Sequence, residues 1–415
     1  MSKTRKALEN YRATDDADIA RLVDCLLLDA IEVGSSDIHV EPWDESLVVR
    51  FRLNGVLKEF EHLPLELAEK ISARLKVMAN LVNYETEKPQ EGHARAAASG
   101  GGVELRLSFF PVVRTGEGHA FSRGEKIVIR IFDPKSRSFD LDQLGFDAHT
   151  SATLKDLLAR PTGLMLLTGP TGSGKTTAIY AALCHLVRQF GSTISISTVE
   201  DPVEFNLPCI SQAQINHARD FTYPVALRSL MRQDPQVIMI GEIRDAATAA
   251  IAVQAGLTGH LVISTIHSGS TAGVFARLIN MDIEPFLLAS SIIGVLGLRL
   301  VRNNCPLCAM PYQPEASLLA RIPESIQNDA SWRTGGGCET CNHTGFEGRT
   351  ALAEMLQINE ALRDGIMRKM RTRKLQALAQ EQGMQTLWES GLDRAAAGEM
   401  PLEEILRSVT EDPLT

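Results

Sequence analysis

Between Ile19 and Val33 the apolar residues Ile19, Leu22, Val23, Leu26, Leu27 and Ala30 fall three and four apart, which keeps one face of an α-helix apolar, and Gly34 ends the run. Two segments then alternate with period two, Asp37 to Glu41 and Leu47 to Leu53, and Asn54-Gly55 signals a hairpin. A second helix is expected near Leu65 to Leu81, followed by strands over Val103 to Phe109 and Lys126 to Phe132, so the first part of the chain reads as α+β. The glycine-, alanine- and charge-rich stretches Glu91 to Gly102 and Thr115 to Gly124 read as exposed loops, and Asp133 to Ser138 as a linker. From Phe139 the pattern changes. Short apolar runs at Gly163 to Thr168, Thr193 to Val199, Val237 to Ile240 and Leu261 to Thr265, separated by helical segments, predict a parallel sheet covered on both faces.

These changes in pattern predict a short basic segment over 1–17, an α+β domain over 18–134, an α/β domain over 135–302, a cysteine-bearing insert over 303–345 and a helical region over 346–415. A chain of 415 residues that is 44% hydrophobic can bury two or three cores, which excludes disorder as its dominant state. Acidic residues outnumber basic ones by 51 to 42, for a net charge of −9, the wrong sign for a surface that grips nucleic acid throughout. No apolar run reaches the roughly 20 residues that span a bilayer; the longest, Ser291 to Val301, is broken by Arg299 and by glycines. The basic N-terminus lacks the apolar core of a secretory signal, so a cytoplasmic protein is expected.

Gly169-Pro170-Thr171-Gly172-Ser173-Gly174-Lys175-Thr176 matches the phosphate-loop pattern between a predicted strand and a predicted helix that begins near Thr177. In such a loop the glycines let backbone N–H groups turn inward around phosphate oxygens; Lys175 would reach the β- and γ-phosphates and Thr176 would bind Mg²⁺. Three further strand tips carry chemistry. Val237 to Ile240 is an apolar strand followed by Gly241 and Glu242, a Walker B arrangement with glycine at the usual aspartate position, and Glu242 would polarise water or act through Mg²⁺. Glu200, Asp201 and Glu204 end another strand, where open parallel sheets bind ligands, and an acidic turn before Pro202 is the plainer alternative for Asp201. His267 closes a fourth strand and would face a γ-phosphate, while His260 lies at that strand's other end. Arg50, Arg52, Arg106 and Arg130 on the first domain's strands, with Arg228 and Arg232 one helical turn apart, are candidates to neutralise phosphate charge, against the alternative of surface ion pairs.

Seven cysteines include two C-x₂-C pairs, Cys305/Cys308 and Cys338/Cys341, whose four thiolates suit structural Zn²⁺; iron or a redox dithiol is the alternative. Cys25, Cys184 and Cys209 stand singly.

Taken together, Ser36-Asp-Ile-His-Val-Glu-Pro, Val49-Arg-Phe-Arg-Leu-Asn-Gly-Val-Leu, the phosphate loop, Thr198-Val-Glu-Asp-Pro-Val-Glu-Phe, Arg232 to Asp245, Thr258 to His267 and the tetracysteine insert make this chain resemble the secretion ATPase superfamily, specifically the type II secretion and type IV pilus assembly ATPases. The resemblance runs from about Asp18 to the C-terminus. It implies a RecA-like ATPase core, a PAS-like N-terminal domain, ATP and Mg²⁺ at the phosphate loop, and Zn²⁺ in an insert typical of assembly rather than retraction ATPases. It also implies that Glu200 and Glu204 form an aspartate box, that Glu242 is the Walker B glutamate, that His267 belongs to a histidine box, and that Arg50, Arg52, Arg228 and Arg232 approach the nucleotide beside Thr177 and the loop. The implied assembly is a homo-hexamer acting on an inner-membrane platform protein, peripheral to the membrane through partners and without direct nucleic-acid binding. The N-terminal segment of some 17 residues is shorter than the docking domain usual in the family, and Lys58 stands where arginine is common. The rival from another class is a nucleic-acid translocase of the DNA-uptake or conjugation type; a non-hydrolysing scaffold fits poorly with intact Lys175, Thr176 and Glu242.

Overall fold

In the computed structural model Asn54 and Gly55 both take positive φ, 49° and 82°. That conformation matches the twist of a two-residue hairpin, here joining the strands Leu47–Leu53 and Val56–Leu63. The structure describes residues 2–11, 16–96, 102–115, 121–132 and 139–409. The chain divides into two units, Met1–Arg137 and Ser138–Thr415; the expected linker from Asp133 to Ser138 lies outside the described residues.

The first unit is built on a six-stranded antiparallel sheet in the order Val56–Leu63, Leu47–Leu53, Asp37–Pro42, Phe121–Phe132, Val103–Thr115, Gln90–Ala96. Helices Asp16–Glu32 and Ala68–Met78 bury their apolar stripes against one face, with Leu22, Leu26, Ile71 and Leu75 packed on Ile38, Val40, Leu105 and Ile129. Two expected loops are corrected here. Residues 90–96 form an edge strand whose inward positions are Gly92, Ala94 and Ala96. Small residues are required there because a Cβ on Gly92 would lie 2.9 Å from the Cβ of Ala79, and small inward residues hide the alternation from a hydrophobicity reading. Likewise residues 121–124 continue the strand Phe121–Phe132; Gly124 belongs to that strand, and a Cβ on it would lie 3.1 Å from Pro42 Cγ. The basic N-terminal segment is helical over Lys3–Glu9. Asp29 holds it, accepting from the backbone N–H of Lys3 (3.1 Å) and Thr4 (2.8 Å) and from the Thr4 hydroxyl (2.7 Å).

A fully buried lysine anchors this unit. Lys76 Nζ lies 2.7 and 2.8 Å from the two carboxylate oxygens of Glu125 and 2.7 Å from the Glu85 carbonyl, and the Ser72 hydroxyl donates to Glu125 at 2.6 Å.

The second unit carries a seven-stranded sheet in the order Phe346–Gln357, Ile292–Asn304, Gly163–Thr168, Leu261–Thr265, Val237–Ile240, Ile196–Glu200, Ser211–Gln214. Six strands are parallel, and Phe346–Gln357 pairs antiparallel with Ile292–Asn304. The sheet is therefore mixed, and the first residues of the region read as helical form its edge. The strand expected from Thr193 begins instead at Ile196, because Gly191–Thr193 is a 3₁₀ turn. Successive residues of Gly163–Thr168 feed opposite cores: Leu164 and Leu166 join the helices Ala246–Leu257, Gly273–Ile279 and Pro285–Ser291, while Met165 and Leu167 join Ala148–Leu158 and Lys175–Phe190. Both faces are thus covered, as a continuous apolar run requires. The insert does not stand alone: its Ile322 and Trp332 share one core with Trp388, Leu392, Met400 and Ile405 of the C-terminal helices.

Glu125→Gln should lower the stability of the first unit by about 3–5 kcal/mol, because it strands the Lys76 charge without its partner, and the double variant Lys76→Met/Glu125→Leu should regain most of that loss. Urea denaturation of both variants checks this.

Candidate nucleotide site

The strand Gly163–Thr168 delivers the phosphate loop at its C-terminal end, and the loop runs straight into helix Lys175–Phe190. Three loop glycines have positive φ: Gly169 (144°), Gly172 (77°) and Gly174 (93°). At Gly169 space is also limiting, since a Cβ would stand 2.5 Å from the Leu298 carbonyl oxygen and 2.7 Å from Ser173 Oγ. Gly174 is the N-cap and offers no side-chain acceptor, so the first N–H groups of the helix remain available to an anion. Pro170, Thr171 and Gly172 are exposed at the tip, Thr176 and Thr177 are half-buried in the first turn, and the Ser173 hydroxyl is buried without a hydrogen-bond partner. Lys175 Nζ folds back over the loop and donates to the carbonyls of Gly169 (2.7 Å) and Pro170 (2.8 Å). Burial pushes its ammonium below the usual lysine range; Glu242 opposes that shift and Arg299 adds to it.

The parallel register brings other strand tips alongside, with Thr265 opposite Leu167 and Ile240 opposite both Ser264 and Val199. Glu242 and His267 meet there. Glu242 accepts from Arg244 Nε at 2.6 Å, and His267 Nε2 lies 3.2 Å from its other oxygen. The Glu242 side chain is only 16% exposed against 45% for His267, so the carboxylate is the more buried of the pair. The structure also explains the glycine that precedes Glu242, because a Cβ at Gly241 would lie 2.6 Å from the Tyr223 hydroxyl oxygen.

The acidic cluster is divided differently from the expected shared crevice. Glu200 is buried and accepts from Tyr180 Oη, from Thr198 Oγ1 (2.5 Å) and from Gln212 Nε2 (3.0 Å). Tyr180 also accepts from the backbone N–H of Glu204 at 3.3 Å, so this tyrosine ties both acids to the phosphate-loop helix. Burial first, and the Glu200 carboxylate second, push the Tyr180 hydroxyl far up, so it stays protonated as a donor. Asp201 faces His217, with 3.3 Å between oxygen and nitrogen. His260 is structural, its Nδ1 lying 3.2 Å from the Ala255 carbonyl.

The arginines separate into two groups. Arg50 pairs with Glu41 and lies 5.6 Å from the Trp43 ring centroid; Arg52 pairs with Asp37 at 3.6 Å, Arg130 with Asp37 at 3.1 Å and Arg106 with Glu91 at 3.0 Å. Arg228 and Arg232 are exposed and make no ion pair among the described residues. Two residues beside the site were missed by sequence reasoning. Tyr180 gives no motif signal, and Arg299 reads only as an interruption of an apolar strand. Arg299 is half-buried and lines a cavity of about 520 Å³ with Gly169, Pro170 and His267.

The four cysteines converge. Their Sγ atoms all lie within 4.8 Å of one another, with Cys305 to Cys338 and Cys308 to Cys341 at 3.9 Å and Cys338 to Cys341 at 3.8 Å. Thiolates about 2.3 Å from a tetrahedral zinc are separated by about 3.8 Å, so the cage fits that ion. Burial raises the Cys341 thiol, but the N–H groups of Cys338 (3.1 Å) and Gly345 (3.3 Å) point at its sulfur and bring it down to about 6. These two N–H groups favour the thiolate form of Cys341, whereas burial pushes the Cys305 and Cys308 thiols up.

The family model described as Type II/IV secretion system protein matches residues 12–407. Type II secretion system protein E of Aeromonas hydrophila is 41% identical over 401 residues, 96% of this chain and 77% of that protein. The type IV pilus assembly ATPase PilB of Myxococcus xanthus (strain DK1622) is 40% identical over 414 residues, 99% of this chain and 71% of PilB. Among solved structures, the Legionella pneumophila ATPase DotB superposes with a TM-score of 0.66 at 19% identity, covering 92% of this chain and 94% of DotB. The pilus retraction motor PilT with bound ADP superposes at 0.61 and 24% identity, covering 94% of this chain and 96% of PilT. At these identities the two structures share the fold.

Cys305→Ser should release zinc and loosen the insert locally while the phosphate loop still binds nucleotide. Elemental analysis of the purified protein, with and without the substitution, reads the metal; its absence from the unmodified protein would defeat the zinc assignment.

Proposed function

We propose, because this chain belongs to the type II/IV secretion system protein family, that it is the magnesium-dependent ATPase motor of a filament-assembling machine of the type II secretion or type IV pilus class. As a member of this family of P-loop secretion ATPases it hydrolyses ATP. The observation that supports the reading most directly is the meeting of Glu242 and His267 at neighbouring strand tips, with Glu242 near enough to Lys175 for its charge to be felt there.

In this reading the triphosphate lies along the loop amides and the start of helix Lys175–Phe190. Lys175 exchanges the Gly169 and Pro170 carbonyls for β- and γ-phosphate oxygens, which return the solvation its ammonium lacks. The Thr176 hydroxyl holds Mg²⁺, which when bound neutralises charge between the phosphates. Glu242, released from Arg244, orients the attacking water and accepts its proton, and His267 donates toward the γ-phosphate. Glu200 and Glu204 act through Tyr180, keeping the phosphate-loop helix in register with the acidic strand tip. Arg228 and Arg232, which make no ion pair among the described residues, and Arg50 and Arg52, which would exchange theirs, bring positive charge to the nucleotide as domains of the same or a neighbouring subunit close.

The assembly is a homo-hexamer, and the motion of each N-terminal domain against its ATPase domain pushes on an inner-membrane platform protein. No helix among the described residues is long and apolar enough to cross a membrane, so contact with the bilayer runs through partners in this reading. Zn²⁺ in the tetracysteine cage is structural.

Lys175→Ala should abolish ATP binding. Glu242→Gln should keep binding but lower turnover by a factor of about 100 or more, the loss expected when a positioned base is removed. Nucleotide binding by fluorescence titration and phosphate release in single-turnover assays check both, and normal turnover by the glutamine variant would overturn the role given to Glu242.

A further inference from the structure

The described residues contain an arginine with no partner beside the phosphate loop. Arg299 lies on Ile292–Asn304, the strand that runs parallel to Gly163–Thr168, two residues beyond Gly297, which pairs with Thr168. Its side chain is half-buried and makes no hydrogen bond or ion pair among the described residues, unlike that of Arg302 three residues on, which is held by Glu404. A guanidinium cannot shed its proton to escape burial, so its desolvation goes uncompensated until an anion arrives. Burial accordingly pulls Arg299 below the ordinary arginine range, and Lys175 registers its charge.

The cavity of about 520 Å³ that Arg299 lines shares Gly169, Pro170 and His267 with the nucleotide site. Around the remainder are the hydroxyl-bearing residues Ser268, Ser270 and Thr271, together with the exposed Arg277. The one acid on its wall, Glu354, accepts from Thr271 Oγ1, from Gln376 Nε2 (3.3 Å) and from the backbone N–H of Leu387 (3.3 Å), so its charge is already solvated by three donors. What the cavity lacks is a counter-ion for Arg299. It opens beside His267, where the terminal phosphoryl group is cut.

We propose that this cavity is a binding site for the inorganic phosphate released from the nucleotide, with Arg299 as the residue that receives it. The inference rests on the nucleotide-site reading above. Holding phosphate here keeps it next to ADP after cleavage, so its departure past Arg299 becomes a separable step, distinct from ADP release from the loop. Arg299 has a positioning role toward the product and none in water activation.

The test uses the full chain saturated with Mg-ADP, so that the phosphate loop is filled, and titrates inorganic phosphate by calorimetry and by thermal shift. The unmodified protein should bind phosphate, Arg299→Gln should weaken that binding at least tenfold while ADP affinity changes less than threefold, and Arg299→Lys should recover part of it. Phosphate should also inhibit steady-state turnover of the unmodified protein, and this product inhibition should fall in parallel in Arg299→Gln. Phosphate binding by Arg299→Gln equal to that of the unmodified protein, or no phosphate binding to the ADP-loaded unmodified protein, would overturn the proposal with the nucleotide site intact. Failure of the unmodified protein to bind ADP would remove the nucleotide reading and this inference together.

Discussion

The parallel hydrogen-bond ladder between Gly163–Thr168, Leu261–Thr265 and Val237–Ile240 is the constraint on which the rest of the second unit depends. Strands in such a ladder lie about 4.8 Å apart, so groups just past their ends are neighbours however far apart they are in the chain. Glu242 and His267 meet for that reason, near enough to the loop for Lys175 to feel the charge of Glu242. The ladder in turn is held by burial, since Leu164, Leu166, Ile238, Ile240, Val262 and Ile263 are almost fully removed from water on one face or the other. A slip of one residue would turn each of these side chains to the opposite core and pull the loop away from Glu242 and His267.

Charge is treated in two ways across the molecule, and the contrast locates the chemistry. In the first unit Lys76 and Glu125 are buried together, the ammonium with three acceptors and both carboxylate oxygens engaged, and in the second Glu404 is held by Arg302 and Arg407. Burial pushes Glu404 upward, but the two guanidinium groups outweigh it and keep the carboxyl below its ordinary range. Around the phosphate loop the compensation is partial. Among the described residues Lys175 donates to two carbonyls, the Arg299 side chain has no partner, and Ser173 keeps a buried hydroxyl without one. Donors left partly free around an N-terminal helix turn suit a polyanion.

The tetracysteine cage serves a different need. Its ligands come from segments about thirty residues apart in sequence, and the chain between them places Ile322 and Trp332 in the shared core with the C-terminal helices and packs Tyr312, Leu318, Leu319 and Ile326 against it. A metal held by the four sulfurs would add a cross-link to that packing. The cage lies next to the C-terminal end of Ile292–Asn304 and close to the start of Phe346–Gln357.

Much of this was legible in the order of residues because the signals are local. Asn54-Gly55 signals a tight turn, the eight residues from Gly169 to Thr176 carry their own backbone requirements, and two C-x₂-C pairs mark a cluster that could hold a metal. The apolar strands of the second unit were readable because burial on both faces leaves nothing polar in them. What stayed hidden depends on neighbours distant in the chain. The edge strand Gln90–Ala96 is disguised by small residues that only the approach of Ala79 demands. Phe346–Gln357 is a strand because Ile292–Asn304 offers it a ladder. Glycine at 241 makes sense only beside the Tyr223 hydroxyl, Tyr180 matters only where the Glu200 carboxylate and the Glu204 backbone N–H reach it, and Arg299 is a broken apolar run until folding half-buries it with no counter-charge among the described residues. Local conformational preference is written residue by residue, whereas desolvation and partnership are properties of the space between segments, and only the tertiary structure decides those.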